Sequence, residues 1–528
     1  MVARRLKHWG WGYEDQQPAH TEVEAIARGA REQLGFGDGV AERFVPIEDV
    51  VLPEPRIAAP TSLEAICATD AHTRALHTYG RAYRDIVRAF RGRFDNPPDL
   101  VARPRSEQEL EQVLDWCAEA GAAAIPFGGG TSVVGGVEAR VGEQYRGVVS
   151  IDLKALDRVL EIDRTSRAAL IQGGATGPVL EDQLREHDLT LRHYPQSFEY
   201  STLGGWIATR AGGHFATLLT HIDDLVESVR AITPTGVWES RRLPGSGAGP
   251  SPDRMLIGSE GTLGVITQAW VRLQDRPRFK AGASVGFDDF SAGAEAVRVL
   301  SQSGLWPSNC RLLDEREAAL NGAAEQGALL VLGFESADHP IEPMMDRALE
   351  CCADHGGVAR SSSSEGPAEG AAAWRDSFLQ MPYIRDSLIA AGVLAETFET
   401  AITWDRLESY VNQVRSTVEG ALEAETGGRV SCRFTHVYPD GAAPYFTVLA
   451  PARRGSELEQ WDAIKAVASE AIESAGGTIT HHHAVGRDHR PWYDRQRPDP
   501  FAAAMVAAKR AVDPDAILNP GVLFDAAR

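Results

Sequence analysis

The spacing of hydrophobic positions changes period along the chain, and those changes mark its organisation. Ser106–Ala120 (SEQELEQVLDWCAEA) places Leu110, Val113, Leu114 and Cys117 on one helical face. Ser106 and Glu109 read as a capping box, and Gly121 as the stop. Upstream, Ala71–Phe90 keeps helical spacing through Gly80, and Asn96-Pro97-Pro98 ends that region. Short strands follow: Val148–Leu153, Ala168–Gln172, Val226–Thr233 and Val265–Leu273, with Pro234-Thr235-Gly236 as a hairpin turn and Pro244–Pro252 as a loop. Beyond Arg278, strands at Ala328–Glu335, Val430–Tyr438 and Tyr445–Leu449 mix with helices at Ser291–Ser301, Ile341–His355, Trp404–Glu425 and Leu458–Ser474. That mixture predicts an α+β fold. Ser361–Ala373 reads as a surface loop.

Composition narrows the function. The chain has 528 residues, 43% hydrophobic and 24% charged, which suits several globular domains. A net charge of −21 repels phosphate backbones and excludes nucleic acid as an expected partner. Six cysteines without a CxxC pair read as reduced, mostly buried thiols of a cytoplasmic protein. The N-terminus, MVARRLKHWGWGYEDQQ, lacks the apolar core of a secretory signal, and no run reaches the ~18 apolar residues of a membrane span.

Three glycine-rich segments carry the first chemical signal. Pro126-Phe127-Gly128-Gly129-Gly130-Thr131-Ser132 offers consecutive amides for an anion nest and two hydroxyls. It fits neither the Rossmann fingerprint nor a Walker loop, since Val133 replaces the last glycine of the former and no Gly-Lys-Ser/Thr follows. The second segment is Pro195-Gln196-Ser197-Phe198-Glu199-Tyr200-Ser201, running into Thr202–Gly213. The third is Gly258–Ile266. Together they read as separate walls around one extended ligand, a dinucleotide with a flat ring system.

GGGTS, STLGGWIATRAGG and GSEGTLGVIT resemble the FAD-binding domain of the vanillyl-alcohol oxidase and para-cresol methylhydroxylase flavoproteins. Within that superfamily the chain is similar to the alkyldihydroxyacetonephosphate synthases, through Trp9–Tyr13, Phe398–Thr400, Trp404–Arg406 and His481–Gly486. The resemblance implies a two-subdomain FAD-binding domain of the PCMH type at residues 96–276. An N-terminal helical region at 1–95 would precede it. A cap with an antiparallel sheet flanked by helices would span 277–500, and a C-terminal segment at 501–528 would return to the flavin domain.

It further implies noncovalent FAD, since the GGGTS loop has no histidine for flavin attachment. Pro126–Ser132 would hold the pyrophosphate. Pro195–Ser201, Ala208-Thr209-Arg210-Ala211 and Glu260-Gly261-Thr262-Leu263-Gly264-Val265-Ile266 would line the rest.

The same resemblance makes Tyr445 the acid/base, places His481, His482 and His483 at the active site, and makes Arg385 and Arg311 substrate ligands. A phenol of reference pKa about 10 needs cationic neighbours to act as a base, and the histidines are expected to supply them. No metal is expected, because neighbouring side chains diverge. The implied reaction is alkyl-for-acyl exchange on acyl-dihydroxyacetone phosphate, without net redox change. The alternative is an FAD-dependent D-2-hydroxyacid dehydrogenase, whose metal segment His436-Val437-Tyr438-Pro439-Asp440-Gly441 resembles. The short stretch from Asp314 to Ala328 argues against long-chain substrates. A homodimer with peripheral membrane contact is expected.

Overall fold

The computed structural model describes residues 4–320, 322, 326–363 and 381–525. Three sheets organise it. In the first, Leu100–Ala102 and Ala122–Phe127 pair in parallel with Gly147–Asp152, and Cys67–Ala68 adds antiparallel to Leu100–Ala102. The helix Glu107–Ala120 buries Leu110, Val113, Leu114 and Cys117 against this sheet. Its cap is only half of the expected box. Ser106 accepts from the Glu109 amide, but the Glu109 carboxylate turns outward to the Arg105 amide and guanidinium.

The second sheet is antiparallel, in the order Val159–Asp163, Ala168–Gln172, Val265–Arg272, Val226–Thr233, Gly236–Glu239. The third holds eight strands between Phe279 and Pro451, all antiparallel. Five of them, Phe279–Phe287, Asn309–Leu313, Val358–Ser363, Val393–Glu399 and Ile402–Thr403, go beyond the strands read from the sequence.

The third sheet shows why its residues alternate. Cys310, Leu312, Cys432, Phe434, Phe446 and Val448 enter the core under the helices Phe290–Gln302, Leu407–Glu425 and Glu457–Ser474. Their neighbours Arg311, Arg433, Thr435, Tyr445 and Thr447 face a cleft on the other side. Successive side chains of a strand point to opposite faces, so one sheet supplies both a core and a polar wall.

Two sequence expectations are corrected here. Ala71–Phe90 is not one helix. It divides into Ala71–Leu76 and Tyr83–Phe90, because Gly80 packs with its Cα against the Ser132 carbonyl, where a Cβ would lie 2.1 Å from that oxygen. Ser361–Ser363 end the strand Val358–Ser363 rather than opening a loop. The rest of the low-complexity stretch, 364–373, lies outside the described residues.

Trp9, Trp11, Tyr83, Ile86 and Phe90 share one core with the third sheet and its helices. The C-terminal stretch reaches back to the first sheet. The Ala124 amide donates to Ile517, and the Asn519 amide donates to the Ala124 carbonyl. None of the six cysteines is paired. Among the described residues no helix is long and apolar enough to cross a membrane.

Candidate active site

One cleft lies between the third sheet and the glycine-rich loops, the first of which follows the strand Ala122–Phe127. Its walls include Gly128–Ser132, Pro195–Ser197, Ser201, Thr209 and Ala211 from the glycine-rich segments. The cap adds Arg311, Arg385, Arg433, His436, Tyr445, His482 and His483.

The glycine loop is built to present backbone. Among the described residues, no protein acceptor takes the amides of Gly128, Gly129, Gly130, Thr131 or Ser132. A Cβ on Gly129 would sit 2.0 Å from the Tyr200 carbonyl oxygen, so the loop lies flush against the second segment. Only Gly130 of the three takes a left-handed φ, +66°. Gly130 is thus required by its backbone conformation, and Gly128 and Gly129 by close approach to Thr202 and Tyr200. Free amides in a row, with no charged side chain between them, fit the pyrophosphate of FAD.

The remaining predicted cofactor residues stand behind that surface. Pro126 and Phe127 end the strand Ala122–Phe127 and pack beneath Gly261 and Gly130. Phe198 stacks on Trp206, with centroids 6.3 Å apart. Glu199 accepts from the Tyr383 hydroxyl at 2.5 Å, and the Tyr200 hydroxyl meets that of Tyr383 at 2.8 Å. Ala208 accepts from the Glu260 amide, and Arg210 pairs with Asp223. Glu260 is buried and accepts the amides of Val485 and Gly486 at 2.9 and 2.8 Å. Burial raises its pKa to about 7. Gly261 and Thr262 complete this turn, and Leu263–Ile266 lead into the strand Val265–Arg272. The third segment thus ties the flavin domain to the histidine loop.

That loop is organised by a residue sequence reasoning did not single out as functional. Glu399, buried at the end of Val393–Glu399, accepts the amides of His481, His482 and His483 at 2.5, 3.1 and 2.8 Å. It also accepts the Thr480 hydroxyl at 2.6 Å. Burial alone would raise its pKa, but the His483 and His481 rings, the Thr480 hydroxyl and the His483 amide outweigh it and hold the carboxyl below its ordinary value. The available signal was a carboxylate inside an otherwise apolar strand, VLAETFE.

The histidines do not supply positive charge. Burial pushes His481, His482 and His483 below the usual imidazole range, and His489 down to about 3. The cation beside Tyr445 is Arg433, also unread from sequence, whose guanidinium carbon lies 3.9 Å from the ring centroid. Burial raises the Tyr445 pKa, while Arg433, the Thr397 hydroxyl and Arg385 pull it back. Arg433 is itself held by Glu317 at 2.5 Å. Arg311 donates to the His214 carbonyl at 3.1 Å, and burial plus the Arg433 charge bring its pKa down to about 10. Arg385 donates to the Arg81 carbonyl. Next to it, Asp386 accepts the Trp11 amide at 2.7 Å, which pins the N-terminal aromatic segment beside the cleft.

His436 reaches the cleft through a β-bulge. The register of Arg429–Val437 against Gly441–Pro451 shifts between Phe434 and His436, so Thr435 and His436 both face inward. Nitrogens of His436, His481 and His482 lie within 4.8 Å of one another. His436 commits Nε2 to the Gly213 carbonyl at 3.1 Å and Nδ1 to the Thr435 hydroxyl at 3.2 Å.

Comparison with known proteins places this architecture. Residues 98–240 match the model described as "FAD binding domain", and residues 276–523 match "FAD linked oxidases, C-terminal domain". The solved para-cresol methylhydroxylase shares the fold at 15% identity, with a TM-score of 0.67 over 88% of this chain and 94% of that one. A solved alkyldihydroxyacetonephosphate synthase superposes with a TM-score of 0.80 at 25% identity, covering 98% of each chain. The alkyldihydroxyacetonephosphate synthase of Trypanosoma brucei brucei is 30% identical over 483 residues, 86% of this chain and 78% of its own length. The cofactor is FAD, and with likeness on this scale running through flavin domain, cap and histidine loop alike, the chain belongs to the alkyldihydroxyacetonephosphate synthase family.

Proposed function

We propose that the protein exchanges the acyl group of an acyl-dihydroxyacetone phosphate for the alkyl group of a fatty alcohol. The observation that carries this reading is the convergence of Arg311, Arg385 and Arg433 with Tyr445 on one cleft floored by the glycine loop. Guanidinium groups crowded around a buried space favour a dianionic ligand such as a phosphate monoester.

In this reading the arginines hold the phosphate and thereby fix the ketone carbons over Tyr445. The Arg433 guanidinium against its ring stabilises Tyr445 as the phenolate, which takes a proton from C1 and becomes the neutral phenol. FAD supplies a ring nitrogen able to bond carbon reversibly. The fatty acid leaves as a carboxylate with its bonding electron pair, the alcohol oxygen takes its place and its proton passes to that carboxylate, and Tyr445 returns the C1 proton. His482 and His483, as neutral rings, hydrogen-bond the departing and entering oxygens.

An apolar chain has room nearby. A cavity of about 750 Å³, lined by Trp9, Phe44 and Phe90, shares Trp11, Gln196 and Pro382 with the cleft. This space supports a long-chain substrate despite the short stretch after Asp314. A homodimer touching the membrane peripherally belongs to the same proposal; vesicle co-sedimentation and light scattering test it.

The deciding measurement pairs product analysis with anaerobic flavin absorbance. Acyl-dihydroxyacetone phosphate and a fatty alcohol should yield free fatty acid and ether product, with the flavin oxidised at the end. Lasting bleaching by a D-2-hydroxyacid, without any response to the phosphorylated ketone, would establish the dehydrogenase reading instead. Acid precipitation should release the FAD; yellow colour retained in the pellet would show a covalent link.

A further inference from the structure

We propose that His482, His481 and His221 form a proton-exchange path from the cleft to the protein surface. It rests on the exchange reaction above, in which a substrate carbon gives up a proton and later recovers one. The three rings are in sequence: Nδ1 of His482 lies 3.0 Å from Nδ1 of His481, and Nε2 of His481 lies 3.2 Å from Nε2 of His221. The outer ring, His221, is half-buried, while His482 lines the cleft.

The hydrogen bonds give this chain a direction. His221 Nδ1 meets the Arg210 carbonyl at 3.0 Å and must donate to it, because a carbonyl only accepts. In the neutral ring this leaves His221 Nε2 as an acceptor, so His481 donates from Nε2. His481 Nδ1 then accepts, and His482 donates from Nδ1. What remains is a lone pair on His482 Nε2, the one ring nitrogen of the three without a hydrogen bond among the described residues, on a residue that borders the cleft. A branch at His481 runs to the Tyr438 hydroxyl at 2.7 Å, which continues only to Thr220 at 3.2 Å. Thr220 is buried and His221 is half-buried, so the outward branch is His221. His436 flanks the path, with its ring centre 5.0 Å from that of His481 and 5.3 Å from that of His482.

Proton balance is simple. A proton reaching His482 Nε2, directly or from Tyr445, releases the Nδ1 proton of His482 to His481. His481 passes its Nε2 proton to His221, which exchanges with water. The returning proton runs the path backwards and restores every tautomer, so nothing is consumed. Glu399 beneath the His481–His483 amides keeps the inner rings in register.

The test compares full-length holoenzyme with His221→Phe and His221→Asn at low buffer concentration. It follows ether formation and deuterium entry from D₂O into substrate C1. We expect both rates to fall about tenfold, less than the roughly 10²-fold lost with the acid/base itself, with KM and bound FAD unchanged. Added imidazole should restore them in proportion to its concentration. His221→Asn is the variant read if phenylalanine disturbs FAD content. Unchanged rates in the variants, or a loss that imidazole does not repair, would overturn the path while leaving the reaction intact. No ether formation by the unmodified enzyme would overturn the reaction, and the path with it.

Discussion

At the residue scale, two side chains and one missing side chain carry the proposed chemistry. Tyr445 is buried with Arg433 against its ring, an arrangement suited to a phenol that gives and takes a proton. Tyr445→Phe should keep FAD and fold but lose at least about 10²-fold in turnover, the scale of a general acid/base. Stopped-flow and steady-state rates measure this, and near-normal turnover would make Tyr445 a packing residue. Gly129 tests the cofactor loop. Gly129→Val should abolish flavin binding, because its Cβ would lie 2.0 Å from the Tyr200 oxygen and push the loop off the second segment. Flavin absorbance per protein reads this directly; full occupancy would show that the loop does not cradle the pyrophosphate.

At the element scale, a strand end organises a loop. Val393–Glu399 delivers one carboxylate to three consecutive amides, so the histidine loop is fixed by its backbone rather than by its rings. Glu399→Gln keeps the shape but replaces a charged acceptor, whose hydrogen bonds are about twice as strong as neutral ones, by an amide. Hydrogen exchange at His481–His483 should accelerate and turnover should fall, with flavin content retained. Protection equal to the parent enzyme would show that the loop is held by other contacts. The bulge at Thr435 is a second device of this kind. Without it, strict alternation would turn His436 towards the helices.

At the scale of the whole molecule, burial of titratable groups sets the response to pH. His193, His214, His436, His481, His482, His483 and His489 all have lowered pKa values, chiefly from desolvation. Below about pH 6.5 the unfolded chain binds protons that these folded rings refuse, so their contribution is present above that pH and lost as pH falls. Asp386, Asp488 and Glu260 act oppositely. Burial raises them to about 6, 7 and 7, so they favour the fold at low pH and lose that contribution as pH rises. The histidines outnumber these carboxyls; Glu399, held low, loses its own contribution only at still lower pH, below about 4.5. The melting temperature should therefore fall between pH 7 and pH 5, as followed by calorimetry. A flat or rising profile would mean that the buried rings are protonated in the native state.

The sequence by itself determined the α+β class, five of the longer helices and the glycine-rich segments, because those depend on local periodicity and on residues without side chains. It also offered Tyr445, Arg311, Arg385 and the histidine triplet as candidates, through segments that resemble the family. Tertiary structure decided which of these meet and in what charge state. Arg433 and Glu399 lie in strands whose patterns mark them only as polar residues on a face. Nothing local says that one face of Arg429–Val437 looks onto Tyr445, or that Glu399 meets amides some eighty residues later. The triplet's charge followed the same rule: adjacent histidines read as cationic in sequence, yet burial makes them neutral and leaves the positive charge to arginines. Desolvation depends on how many atoms surround a group, and that is set by the packing of distant segments.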